Sequence, residues 1–112
     1  MSFKDKMIEY LQTDRRKSIV VPELDETIYF SPVTVLEMEK IMTIAQGQTS
    51  ATHVWTVIEK AEDESGKKIF TVEDKPMLEK LDWNIITRIS GEILKVASVS
   101  DLKKTSETIP SG

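Results

Sequence analysis

The run Gly66-Lys67-Lys68-Ile69-Phe70-Thr71-Val72-Glu73-Asp74-Lys75-Pro76-Met77-Leu78 constrains this chain more than any other stretch. It follows a turn cluster, Asp63-Glu64-Ser65-Gly66, in which glycine is free to take a positive φ. Ile69 and Phe70 then suit a short extended segment with buried side chains. Thr71 can cap a new helix, and Glu73 and Asp74 suit its positive end. Pro76 is tolerated only near a helix start, where its missing N–H is not needed. Thirteen residues therefore fix a turn, an extended piece, a cap and a helix of about Val72 to Leu81. The run is punctuation between elements, not chemistry.

The remaining elements follow from periodicity. Ser2 with Asp5 three residues on opens a helix to Gln12 that sets Phe3, Met7, Ile8 and Leu11 on one face. Ser18-Ile19-Val20-Val21 and Thr27-Ile28-Tyr29-Phe30 are β-prone, and Pro22 to Glu26 makes the short connection of a hairpin. Two strands alone are marginal in water, so helices must cover one face. Thr34 and Glu37 form a capping box for a helix to about Ala45, with Val35, Met38, Ile41 or Met42, and Ala45 as its buried stripe. Gly47 ends it. Ser50 caps the next helix, which buries Ala51, Val54, Trp55, Ile58 and Ala61 and ends near Glu62. Asp82 opens the last helix, with Trp83, Ile86, Ile89, Ile93 and Ala97 inward. The expected fold is α+β: a single, mainly helical domain of four to five helices over residues 1–97, with one β-hairpin near the N-terminus. Residues 98–112 lose apolar periodicity and are expected to form a flexible polar tail.

Composition removes whole classes of function. With no cysteine, disulfides, thiolate nucleophiles and cysteine metal sites are excluded. No apolar run approaches the ~20 residues of a membrane span, so no membrane partner is expected. The charged N-terminus lacks the apolar centre of a signal peptide, and a cytoplasmic protein is expected. The net charge of -4 is unevenly spread: Glu23, Asp25, Glu26, Glu37 and Glu39 precede the next positive residue, Lys40. Only Arg15-Arg16-Lys17 could form a basic patch, and three residues fit a solvated strand entrance better than a nucleic-acid footprint.

Candidate chemistry is sparse. His53 is the single histidine, two residues from Trp55 and off the expected inner face. A general base needs an orienting partner and a nucleophile, and a zinc site needs further His or Cys ligands. Glu62-Asp63-Glu64 lacks the ligand spacing of a calcium loop, and no glycine-rich phosphate loop is present. Catalytic, cofactor and metal sites are therefore not expected, and the chain reads as a non-enzyme. The residues favour contact. Met38 and Met42 stack four apart on a helix, either as core or as an adaptable binding surface. Trp55 and Trp83 serve either as core or as hot spots. Ile19 and Val21 lie on a strand whose edge is either covered or free to accept another chain. The candidate partner-binding residues are thus Ile19, Val21, Met38, Met42 and Trp55.

From Lys17 to Leu94 the order of features resembles the tail assembly chaperones of long-tailed bacteriophages. A β-prone opening leads to the Thr34-Val35-Leu36-Glu37-Met38-Glu39-Lys40 helix start, then an amphipathic helix. The Gly66-x-x-Ile69-Phe70-Thr71-x-x-Asp74 element follows, and last Leu81-Asp82-Trp83-Asn84-Ile85-Ile86 with Ser90-Gly91-Glu92-Ile93. The resemblance implies a non-enzymatic helper of tail morphogenesis, present in the host cytoplasm and absent from the mature virion. Its implied partners are the tape measure protein, whose apolar helices it masks, and the major tail tube protein, which it recruits; self-association into a homo-oligomer is compatible. Many such proteins also have a frameshifted longer form. The alternative is a small regulatory interaction protein of a mobile element, of antitoxin or anti-repressor type.

Overall fold

A computed structural model describes residues 2–95. The expected polar tail over 98–112, and Ala97 on the last helix, lie outside the described residues. Within them the order is α1 (Phe3–Gln12), β1 (Lys17–Val21), β2 (Glu26–Phe30), α2 (Val35–Ala45), α3 (Thr49–Lys60), α4 (Lys75–Glu79) and α5 (Trp83–Leu94). Single 3-10 turns occupy Pro22–Leu24 and Val72–Asp74. The expected α+β architecture, five helices and one antiparallel hairpin, is the architecture found.

Local chemistry explains most boundaries. The Ser2 hydroxyl accepts the Asp5 N–H at 3.2 Å and starts α1. The Thr34 hydroxyl accepts the Glu37 N–H at 3.1 Å, and the Glu37 carboxylate accepts the Thr34 N–H at 3.0 Å, closing the capping box of α2. Gln46 at φ 52° and Gly47 at φ 76° then turn the chain left-handed and end that helix. Gly66 takes φ 91° in the turn before Lys67, as its lack of a Cβ allows. One Asp63 carboxylate oxygen accepts the Ser65 N–H, the Ser65 hydroxyl and the Lys67 N–H, which ties that turn shut.

Two boundaries differ from expectation. α3 begins at Thr49, with Gln48 rather than Ser50 at its cap position. The expected helix over Val72 to Leu81 divides into the 3-10 turn and the short α4, with Pro76 inside the first turn of α4. The Asp74 carboxylate accepts the Thr71 N–H at 2.8 Å, and this tight cap favours the 3-10 geometry that precedes the proline.

β1 and β2 pair in register, Lys17 with Phe30 through Val21 with Glu26. Val21, Ile28 and Phe30 face the helices and are buried; Thr27 and Tyr29 face the other way and are half-buried. The far edge of β2 is covered at one end. Tyr29 and Glu62 exchange backbone hydrogen bonds of 2.9 and 2.7 Å, and Glu62 also bridges to Lys68. α3 lies at the centre, packed by α2, α4 and α5. Its Val54, Val57, Ile58 and Ala61 meet Ile85, Ile86, Ile89 and Ile93 of α5 and the inner hairpin face in one core.

Helix rotation corrects two expected stripes. On α2, Ile41 and Ala45 are buried while Met42 faces out, and Val35 at 85% exposure is not core. On α5, Ile85 takes the inward place expected of Trp83, which is 55% exposed.

Candidate interaction surface

Polar groups near the core are tied into structural contacts. His53, on the α3 face toward α5, places Nδ1 2.8 Å from the Ser90 hydroxyl, which is fully buried. The Trp83 ring meets its imidazole edge-on with centroids 5.4 Å apart. Burial lowers the His53 pKa from its ordinary value of 6.5, favouring neutral imidazole. The expectation that His53 lies away from the packing face is therefore corrected: it seals the α3–α5 seam. Lys60, only 7% exposed, reaches the Glu37 carboxylate at 2.9 and 3.0 Å and the Pro32 carbonyl at 3.5 Å. Burial alone would raise the Glu37 pKa. The Lys60 ammonium and the Thr34 N–H outweigh it and hold the carboxyl below the usual range.

Arg16 is a clamp, not a phosphate contact. Its guanidinium lies 4.8 Å from the centroid of the Tyr29 ring, pairs with Glu62 at 3.3 Å, and donates to the carbonyl oxygens of Asp63 and Glu64. It joins the strand entrance to the 63–66 turn. Arg88 of α5 pairs with Glu23 in the hairpin connection. Among the described residues no group of three or more His, Cys, Asp or Glu is placed to hold a metal ion. No helix among them is long and apolar enough to cross a membrane.

The open features are apolar. Every residue of α1 is exposed, including Phe3, Met7, Ile8, Tyr10 and Leu11. Their spacing puts Phe3, Met7, Tyr10 and Leu11 on one stripe, with Lys4 and Lys6 at its borders and Asp5 and Glu9 opposite. Arg15, just beyond the helix, lies over the Tyr10 ring of this stripe at 4.9 Å. A ten-residue helix with no buried residue is marginal in water on propensity alone. α2 adds a second exposed group, Val35, Leu36 and Met42. A third lies where Trp83 walls a cleft of about 370 Å³ floored by Ala51, Val54, Leu78 and Ile86.

The residues singled out by sequence separate across this map. Met42 is exposed and Met38 half-buried at the α2 seam. Trp55 and Ile19 are half-buried and pack on the core. Val21 is fully enclosed, so the folded hairpin cannot present it to a partner. Sequence reasoning set Trp83 on the inner side while weighing it as a hot spot, and did not single out the α1 stripe as surface; both are exposed. The Phe3, Met7, Leu11 spacing was visible, but no sequence signal tells whether such a stripe meets its own domain.

No protein-family profile matches the chain, and no curated protein does. Among solved structures the fold is similar to that of the bacteriophage HK97 tail assembly chaperone. The TM-score is 0.61 at 13% sequence identity, over 86% of this chain and 97% of that one. At that identity the likeness is one of fold: this chain is built like a phage tail assembly chaperone.

Proposed function

We propose that the protein is a tail assembly chaperone that acts by transient apolar contact and has no catalytic role. Its client is the tape measure protein, an elongated helical chain with much apolar surface, and its second partner is the major tail tube protein. The observation that carries this reading is the uncovered stripe of α1 on a domain with a tail-chaperone fold. An amphipathic helix held clear of its own core can pack against another helix by the same spacing that would otherwise bury it. Val35, Leu36 and Met42 extend the apolar surface available on α2.

Contacts of micromolar strength, roughly 8 kcal/mol each, can be multiplied along a repetitive client and still be displaced singly as tube subunits polymerise. Action in the host cytoplasm and absence from the finished virion follow from that displacement. Co-expression with a tape measure fragment that is insoluble alone tests the reading. The wild-type chain keeps the fragment in the supernatant, and Met7→Asp combined with Leu11→Asp loses this effect while its circular dichroism spectrum stays native. A folded double variant that protects the fragment as well as wild type removes α1 from the mechanism. Failure of the wild-type chain to protect any tail component removes the function.

A further inference from the structure

We propose that the apolar stripe of α1 selects a partner helix whose own apolar seam is bordered on both sides by aspartate or glutamate, and turns away basic-bordered helices and the α1 of a second copy. This selection rests on the reading of α1 as the client surface and adds the charge pattern that the client must carry. α1 buries no residue, so its whole circumference is open to a partner. Met7 lies near the centre of the stripe, among Phe3, Tyr10 and Leu11. Lys4 and Lys6 fall about 80° to either side of that centre, from the 3.6-residue turn. Ile8 lies just outside Lys4 and widens the apolar face there. Arg15 adds a third positive charge at the C-terminal end, with its guanidinium 4.9 Å from the centroid of the Tyr10 ring. Among the described residues none of these three cations has an ion-pair partner.

Where two helices pack along apolar seams, the residues that border one seam meet those that border the other. A carboxylate in that position meets an unpaired cation of α1, and an ammonium meets like charge. Two copies of α1 would set lysine against lysine in the parallel and the antiparallel arrangement alike, because both borders carry the same sign. The far side of α1 speaks against a lipid surface. A helix that lies on anionic headgroups carries lysine and arginine on its polar face. Here Asp5 and Glu9 hold that face and cancel the charge of Lys4 and Lys6. In a helix pair only the borders touch the partner, and these two carboxylates stay in water.

The test is a titration of the full chain, followed by amide NMR, with three helical peptides that share one leucine seam and carry glutamate, glutamine or lysine beside it. At low salt the glutamate peptide is expected to shift the α1 amides saturably and to bind about tenfold more tightly than the lysine peptide, with glutamine between them. The difference should shrink in about 0.5 M salt. Lys4→Glu with Lys6→Glu should reverse the order; both sites are exposed, and negative charge suits the first turns of a helix, so α1 keeps its fold. Equal affinity for the three peptides, or an order that the double substitution leaves unchanged, overturns the selection and leaves α1 as the client surface. Peptides that bind without shifting the α1 amides overturn the selection and the α1 reading together. Shifts of the α1 amides on concentrating the chain alone assign the stripe to a second copy, and shifts with anionic vesicles but with no peptide assign it to lipid; either result overturns the proposal.

Discussion

His53 and Lys60 show how single polar residues shape this domain. Neutral His53 is bound to a fully buried hydroxyl, and burial lowers its pKa. Between the folded and unfolded pKa values the unfolded chain therefore holds more protons. The stability His53 supports is complete above pH 6.5 and is lost as pH falls through the lower folded value. Thermal melts across this range should show midpoints declining on acidification, and His53→Gln should flatten that slope. An unchanged slope would assign the titration elsewhere. Lys60 carries a different cost. Its ammonium is buried, so removing Glu37 leaves it without its carboxylate and also opens the α2 capping box. Glu37→Ala should destabilise by about 3 kcal/mol in urea melts, whereas Lys60→Met, which removes the buried charge and keeps the packing, should cost less than about 1 kcal/mol.

At the scale of elements, what was legible in sequence is what local chemistry decides. Capping pairs such as Ser2 with Asp5 and Thr34 with Glu37, the β-branched strands, and the glycine turn at 66 all act within a few residues. They set the element order without knowledge of the rest. What escaped depends on how each helix is rotated against its neighbours. Val35 and Trp83 carry apolar side chains at positions that fit an inward stripe, yet both are exposed in the first turn of their helices, and Ile41 and Ile85 take the buried places. Lys60 gives no signal in the sequence because its carboxylate partner, Glu37, lies on a different helix, α2. The sheet extension through Glu62 and Lys68 was likewise invisible, since each contributes a single bridge. The α3–α5 seam is where packing energy concentrates. Ile89→Ala, at 2% exposure, should cost 2–5 kcal/mol, read as a lower denaturant midpoint with an unchanged m-value.

Across the whole molecule, stability and candidate binding surface occupy different places, and that separation can be measured. The core joins the inner hairpin face, α3, α4 and α5, while α1 contributes no buried residue to it. A change on the α1 stripe should therefore leave the unfolding midpoint of the domain within about 0.5 kcal/mol of wild type, the range of ordinary surface substitutions. Ile89→Ala should behave in the opposite way, lowering the midpoint yet sparing client protection at temperatures where the variant remains folded. Placing both variants in the same melt and the same co-expression assay gives a two-by-two outcome. If binding resides on α1, Met7→Asp with Leu11→Asp loses protection and keeps stability, and Ile89→Ala loses stability and keeps protection. Should the α1 variant instead melt early, α1 is part of the folded unit and its stripe is packing surface. Should both variants lose protection at full folding, the client grips the α5 side as well, where exposed Trp83 walls the cleft over Val54, Leu78 and Ile86. Trp83→Ala would then be the variant that abolishes protection without loss of fold.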